Sequence, residues 1–286
     1  MLSLHTNNAA LSAQNSLTRT QNSLSTSMTR LSTGYRINSA ADDAAGLQIA
    51  SRLKAQSSGM TVAMRNTQNA TSMLQTADGA LDEVSNMLIR MKDLATQSAD
   101  ASSSADDRTA MQSEYDALGK ELGNVMRNTT FGGSALLAGG TIASAMTFQI
   151  GASSGETMAV DLSSAMTTAV TNVSGAAGTY AAAGASGGEI TTQTGANSTI
   201  DTLKTALASI NTVRSGLGAA ENRLSHVYNN LSNISTNTKA ATGLIMDVDF
   251  ATESSNMTSS QMLMQAGTAM LKQTNSMSSM VMSLLQ

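Results

Sequence analysis

Side chains that could catalyse a reaction or bind a metal are few and scattered in this sequence. The two histidines, His5 and His226, stand far apart, and neither lies in a metal-binding spacing such as HExxH. The chain contains no cysteine, which excludes disulfides, thiolate metal sites and cysteine nucleophiles. We therefore expect no catalytic residue, no metal site and no cofactor.

Two acidic pairs could be imagined as general acids and bases or as metal ligands. Asp42–Asp43 and Asp106–Asp107 each stand just before a segment that is predicted to be helical. There, aspartate caps free backbone N–H groups and suits the helix dipole. We interpret Asp42 and Asp43 as helix caps and extend the same interpretation to the second pair. The glycine-containing run 130–140 lacks the Lys–Ser/Thr of a phosphate loop.

The elements that would position any site are predicted by an unusual composition. In 286 residues there is no Pro and no Trp, and aromatic residues make up 2% and charged residues 13%, against roughly 25% charged in typical domains. Without large rings, apolar surface must be buried through many small aliphatic contacts, as in long helices packed side by side. The net charge of −4 argues against a nucleic acid as partner.

A seven-residue apolar spacing runs through both ends of the chain and predicts long helices. Residues 44–98 are expected to form one of them. The rows are Leu4 and Leu11; Leu17, Leu24 and Leu31; Leu53, Met60, Thr67, Leu74, Leu81, Leu88 and Ala95; Leu203, Ile210, Leu217, Leu224, Leu231, Thr238 and Ile245; Leu263, Met270, Met277 and Leu284; and Met257, Met264, Leu271, Ser278 and Leu285. The fold class is mainly α, with the two chain ends paired as long antiparallel coiled-coil helices.

The middle of the chain is different. Asp106 to Asn128 is predicted to be a shorter helix. Two alternating runs within 146–162, separated by 151–156, predict a β-hairpin. Residues 163–195 are rich in Gly, Ala, Ser and Thr, and we expect a small flexible insertion with little core of its own.

Both tails are nearly free of charge. Lys272 is the one charged side chain from Ser254 to Gln286, and residues 1–41 contain three Arg and no acid. Composition alone allows disordered polar tails. Alternatively, the tails are surrounded by identical neighbours in an assembly, where charges would be desolvated at a cost. The regular heptads favour assembly.

Two end motifs resemble a known family. LSTGYRINSAADDAAGLQIASRL (31–53) and VDFATESSNMTSSQMLMQAGTAMLKQTNSMSSMVMSLLQ (248–286) are similar to the terminal regions of bacterial flagellins. The resemblance implies an inner tail coiled coil from 1–43 and 247–286, an outer helical domain from 44–165 and 196–246, and a vestigial surface insertion at 166–195. It also implies a structural, non-enzymatic subunit that polymerises into a filament. The residues expected to carry polymerisation are Leu4, Leu11, Leu17, Leu24, Leu31, Leu263, Met270, Leu271, Met277, Leu284 and Leu285.

The resemblance also implies partners and a location outside the cell. Residues 1–25 lack a basic stretch followed by an apolar run, and no run approaches a membrane span, so we expect no membrane insertion and export without cleavage. Export would use the flagellar type III apparatus, with a chaperone, a cap protein and hook–filament junction proteins as partners. Segment 87–100 resembles the surface read by Toll-like receptor 5. Arg90, Leu94 and Glu114 match its contact residues, and Ile89 replaces the usual Gln. We expect recognition to persist in weakened form.

Two positions just before the C-terminal motif depart from the family pattern, and two other classes of protein remain compatible with the sequence. Leu244 and Met246 stand where the family usually has an Arg and an acid, so we expect apolar packing to replace polar contacts there. Val281–Leu285 resembles a segment sensed by inflammasome receptors. The alternatives are a hook–filament junction protein and a secreted coiled-coil adhesin or effector that does not polymerise.

Overall fold

The computed structural model describes residues 7–177 and 187–284, with side chains described as far as 276. The chain divides into two compact units. The first, the terminal unit, comprises Met1–Ser57 and Thr236–Gln286, and the second, the central unit, comprises Ser58–Ser235. The predicted division into inner and outer domains concerns an assembly of many copies, whereas these units reflect packing within one copy, so that division stays a prediction.

Helices dominate the described part of the chain. They are α1 (Asn8–Thr33), α2 (Ala44–Ser98), α3 (Ala105–Asn128), α4 (Ser163–Ala177), α5 (Gln193–Met246) and α6 (Phe250–Leu284). Two antiparallel hairpins pair β1 (Thr130–Phe131) with β2 (Ser134–Ala135) and β3 (Met146–Gln149) with β4 (Thr157–Val160). The mainly α fold class is confirmed. Because no proline interrupts them, α2 and α5 run for 55 and 54 residues.

The core of the central unit follows the predicted heptad rows. Every seventh residue of α2 from Met60 to Ala95 is buried, and so is every seventh residue of α5 from Leu203 to Leu231. Most of these side chains lie in one hydrophobic cluster that α3, α4 and the hairpins also enter. The spacing brings one face of each helix into the core, which is why small aliphatic residues suffice to hold the unit together.

Helix α3 is capped by a serine. Ser104 is the N-cap: its hydroxyl accepts from the Asp107 N–H, while the Asp107 carboxylate accepts from the Ser104 N–H, a capping box. The Ser104 hydroxyl also donates to the Asp107 carboxylate, and this bond, together with the one from the Ser104 N–H, holds the pKa of Asp107 below its usual value. Asp106 and Asp107 therefore lie in the first turn, where the predicted helix also began, but the N-cap is Ser104 and not an aspartate.

The β3–β4 hairpin was predicted, and the β1–β2 hairpin was missed. Gly132 and Gly133 connect β1 to β2, and both have positive φ, 58° and 86°. Two consecutive positive φ angles are what a two-residue type I′ turn requires, and glycine adopts them without strain. The Gly–Gly pair between Thr130–Phe131 and Ser134–Ala135 was the available signal.

We expected a small flexible insertion with little core of its own at 163–195, and for the described residues of this segment the expectation was wrong. Helix α4 buries Met166, Ala169 and Val173 in the main cluster, and Ile190 is also fully buried. The buried Tyr115 hydroxyl donates to the Ala176 carbonyl, and burial raises the pKa of that tyrosine. The helix was not predicted because alanine is a strong helix former whereas serine and threonine are weak ones, so the composition showed no clear preference. The buried residues nevertheless recur at helical spacing.

The segment before α5 is anchored by polar side chains. The Gln112 side chain accepts from the Ile190 N–H at 2.8 Å and donates to the Glu189 carboxylate at 2.8 Å. The Ser98 hydroxyl donates to the Ile190 carbonyl. Both backbone polar groups of a buried residue are thereby satisfied, so the return of the chain into α5 is fixed to the core.

A charged group crosses from α5 to α2. The Arg214 guanidinium lies 2.9 Å from an Asp78 oxygen and 2.8 Å from an Asp82 oxygen. Glu221, two turns further along α5, has a buried carboxylate oxygen without a hydrogen-bond partner in the described structure. Burial, with Asp78 nearby, raises the pKa of Glu221. Arg214 thus offsets two of the three carboxylates along this contact.

Candidate functional site: a surface on the terminal helices

In the terminal unit, α1 and α6 pack against each other in antiparallel directions. The Asn7 amide, before α1, lies 3.5 Å from the Thr274 carbonyl, near the end of α6. At the opposite end, the Val248 N–H donates to the Gly34 carbonyl and the Arg36 N–H to the Met246 carbonyl. The antiparallel pairing of the two chain ends is therefore confirmed.

Some of the residues predicted to carry polymerisation instead hold this helix pair together. Leu24 is buried, and Leu17, Leu31 and Leu271 are half-buried. A Cβ added at Gly267 would lie only 3.3 Å from Leu17 Cδ1, so a glycine lets the two helices approach closely there. These side chains stabilise the unit within one copy.

Other predicted residues point away from the pair. Leu11, Leu263 and Met270 are 57%, 61% and 63% exposed, and Met262, which the heptad prediction missed, is 60% exposed. At 100° per residue, Met262, Leu263 and Met270 fall on one side of α6, away from Met264 and Leu271. We call Met262, Leu263 and Met270 the outward stripe.

Helix α6 therefore has two apolar faces. One covers α1, and the outward stripe has no cover within the terminal unit. A solvated helix normally presents charges on its outer face, but α6 offers Lys272 alone beyond Glu253. The two neighbouring rows of the sequence were the signal for two faces, but spacing alone cannot say which row faces α1. Of the remaining predicted residues, Leu4 and Leu285, and the side chains of Met277 and Leu284, lie outside the described residues.

One ion pair joins these weakly charged helices, with a buried glutamate and a partly exposed arginine. Glu253 on α6 is only 7% exposed and lies 3.7 Å from the Arg30 guanidinium on α1. Arg30 Nε is buried and has no hydrogen-bond partner in the described structure. The surrounding groove is polar. It is lined by Asn22, Ser23, Thr26, Ser27, Asn256, Ser259 and Ser260.

The two predicted cap residues make different contacts. Asp43 stands directly before α2, and its carboxylate accepts from the Gly46 N–H at 2.8 Å, as a helix cap does. Asp42 does not cap. Its carboxylate accepts from the N–H groups of Asn38 and Ser39, and these bonds hold its pKa below the usual value. The prediction for Asp42 was wrong because the bend before α2 offers closer donors than the helix.

The expected apolar packing at Leu244 was wrong. Leu244 is 88% exposed, the most exposed large apolar side chain of the described residues, although Met246 is half-buried. Phe250 nearby in sequence is 59% exposed. No described residue covers Leu244, and a large apolar side chain left this exposed is typical of a surface that contacts another molecule.

The predicted receptor surface is partly exposed. Arg90 Nε and Nη2 donate to one Glu114 oxygen at 2.9 and 2.6 Å, and the two side chains are 55% and 47% exposed. Ile89 is 48% exposed beside them. Leu94 is only 2% exposed and belongs to the hydrophobic core, so its predicted role as a direct contact is wrong.

Two features of the described residues concern metal binding and catalysis. These residues contain no group of three His, Cys, Asp or Glu side chains that could hold a metal ion. Residues 151–155 read Gly-Ala-Ser-Ser-Gly, a literal match to the Gly-x-Ser-x-Gly motif of hydrolases. Ser153 lies in the turn between β3 and β4, however, and not in the strand-to-helix turn that exposes a nucleophile. Among the helices described, none combines the length and apolarity needed to cross a bilayer.

Comparison with known proteins identifies similar chains over nearly the whole length. Residues 4–141 match the bacterial flagellin N-terminal helical region, and residues 200–285 match the bacterial flagellin C-terminal helical region. A flagellin of Halalkalibacterium halodurans is 37% identical over 283 residues, covering 99% of each chain. Flagellin A of Vibrio anguillarum is 35% identical over 379 aligned positions, covering 100% of each.

A solved structure shares the fold. It is a putative flagellar hook-associated protein from Vibrio parahaemolyticus, with a TM-score of 0.58 over 72% of this chain and 99% of that one. Its sequence identity of 15% makes this a likeness of fold alone.

Proposed function

The chain belongs to the bacterial flagellin family and is a structural subunit of the flagellar filament, not an enzyme, and from this premise we propose that its terminal helices supply the contacts between copies. The observation that carries the proposal is the outward stripe: three large apolar side chains, each at least 60% exposed, on a helix with almost no charge. In a protein that acts as a monomer, such a face is normally covered by other elements or carries charged side chains. In a homopolymer, the molecule that covers this face is a second copy of the same chain.

Seeded growth tests this proposal. The full chain is expected to elongate filament seeds, whereas a chain lacking residues 1–43 and 247–286 should stay monomeric, because it has lost both faces of α6 and its partner helix. Negative-stain electron microscopy measures filament length, and circular dichroism verifies that the truncated chain keeps its helical central unit. Filaments from the truncated chain would contradict the proposal.

We further propose that the chain is secreted unfolded through the flagellar type III apparatus. A chain with no cysteine acquires no disulfide that would block threading, and the Ser-, Thr- and Asn-rich tails are weak helix formers on their own. Mass spectrometry of culture medium should find the chain with both ends intact. Its appearance in medium from a strain without that apparatus would contradict this route.

The exposed apolar face also suggests which partners act before and at assembly. A chaperone on α6, a cap protein and hook–filament junction proteins would each cover apolar surface that is exposed in one copy. A pull-down that compares the full chain with a chain lacking residues 247–286 tests the chaperone contact, and binding of the chaperone to the truncated chain would contradict it.

Inflammasome sensing through Val281–Leu285 is a further proposal; the side chains of these residues lie outside the described ones.

Recognition by Toll-like receptor 5 is proposed for the surface formed by Ile89, Arg90 and Glu114. The Arg90 guanidinium and the Glu114 carboxylate are both largely exposed, so a receptor could engage them without unfolding the central unit. An exposed pair contributes less than about 1 kcal/mol to stability, which separates its recognition role from its structural one.

We predict that Arg90→Ala raises the half-maximal concentration in a receptor reporter-cell titration about tenfold, the typical cost of an interface arginine. Ile89→Gln should lower it, because a polar side chain replaces an apolar one at the rim. Lys120→Ala, which removes an exposed cation on α3, serves as the matched control and should have no effect. An unchanged response for Arg90→Ala would rule out this surface.

A further inference from the structure

The outward stripe contains two thioethers. Met262 and Met270 are 60% and 63% exposed, whereas methionines of the central unit such as Met91 and Met166 are fully buried. The chain has 20 methionines and no cysteine, so methionine sulfur is the most readily oxidised group it contains. An oxidant that meets a free subunit therefore reaches the sulfurs of the stripe before those of the core.

We propose that Met262 and Met270 form an oxidation-sensitive site that controls assembly, with a peroxide as the oxidant. The inference rests on the proposed function, since it takes the stripe as a contact between copies. A sulfur lone pair attacks one peroxide oxygen; an S–O bond forms, the O–O bond breaks, and the departing oxygen leaves as water after protonation. Sulfur loses two electrons and the peroxide gains them.

The product no longer suits an apolar contact. A sulfoxide is polar and chiral, and its oxygen needs a hydrogen-bond donor when it is buried. Leu263 between the two methionines offers none, and the same stripe on a neighbouring copy is equally apolar. Oxidation therefore blocks the contact without touching the α1-facing residues of α6, such as Leu271.

Assembly reverses the accessibility. Once a neighbouring copy covers the stripe, both sulfurs are shielded and the polymer resists the same dose of oxidant. The site thus discriminates between free and incorporated subunits: damaged subunits are not added, and subunits already incorporated are protected.

The test treats the purified full chain with hydrogen peroxide, quenches the reaction with catalase, and measures sulfoxide at each methionine by peptide mass spectrometry before seeded growth. In the free subunit, Met262 and Met270 should oxidise about tenfold or more faster than Met91 and Met166. Elongation should fall about tenfold or more, and methionine sulfoxide reductases should restore it. In filaments, Met262 and Met270 should oxidise slowly.

The matched variant is Met262→Leu with Met270→Leu, which keeps the apolar volume and removes both sulfurs. Its growth before peroxide serves as its own reference, and peroxide should lower that rate by less than about twofold, against about tenfold or more for the unsubstituted chain. If it loses growth as the unsubstituted chain does, or if fully oxidised unsubstituted chain grows normally, the inference is overturned and the proposed function stands. Absence of growth by the untreated chain would overturn both.

Discussion

Filaments should not grow from a chain in which Leu263 and Met270 are both replaced by glutamate. Both side chains are more than 60% exposed in one copy, so glutamate is solvated there and helix α6, for which glutamate is a good former, keeps its pairing with α1. In contact with a neighbour, two carboxylates would be desolvated without a partner. A cost of about 3 kcal/mol or more predicts at least a hundredfold loss of elongation.

The control for this variant keeps the charge and the spacing. Gln68→Glu with Gln75→Glu adds the same two charges seven residues apart on an exposed face of α2 in the central unit. It should grow at a rate within a few-fold of the unsubstituted chain. Normal elongation by the Leu263→Glu, Met270→Glu chain in the seeded assay would show that the stripe is not a contact.

Glu253→Gln is expected to weaken filaments because it leaves the partly buried Arg30 guanidinium without its carboxylate partner. Glu253 is 7% exposed, and its partner Arg30 already has one buried nitrogen without a hydrogen bond. Removing the carboxylate charge leaves the guanidinium unneutralised between α1 and α6. The long 3.7 Å separation and the partial exposure of Arg30 place the loss at about 1–3 kcal/mol, below the value for a close, fully buried pair.

The measurement is the temperature at which filaments depolymerise, followed by light scattering. Glu253→Gln should lower it by several degrees, whereas Arg30→Met combined with Glu253→Met should recover most of the loss, since apolar groups of similar volume replace both charges. Lys272→Gln removes an exposed charge from the same helix and should change little. A double variant as weak as the single one would mean that packing geometry, and not charge, is what the pair supplies.

Periodicity in the sequence was sufficient to predict the helices and their pairing. The row from Met60 to Ala95 is buried as its seven-residue spacing predicts, and α2 spans residues 44–98 as expected. Such long, regular patterns leave little choice, because a helix must bury its apolar stripe and no proline interrupts it. The scarcity of charge in the tails likewise indicates an assembly.

Periodicity did not predict which of the two apolar faces of α6 packs against α1. Leu271 and Met270 are adjacent in sequence and equally apolar, yet one is half-buried against α1 and the other is 63% exposed. Other positions depend on groups that are near only in the folded chain. The Asp42 carboxylate accepts hydrogen bonds from the bend before α2 instead of capping that helix, and Leu94 lies in the core although Arg90, one turn earlier, is exposed. These outcomes depend on three-dimensional neighbours, which spacing does not encode.

The accessibility of position 270 tests the central claim most directly. Because the chain contains no cysteine, Met270→Cys introduces a unique thiol that a maleimide can label in free subunits and in filaments co-assembled with excess unsubstituted chain. Ser154→Cys, in the turn between β3 and β4, verifies that the thiol-modified chain is incorporated and remains detectable. We predict rapid labelling at position 270 in the free subunit and labelling about tenfold or more slower in the filament. Equal rates in both states would show that α6 does not use this face to join one copy to the next.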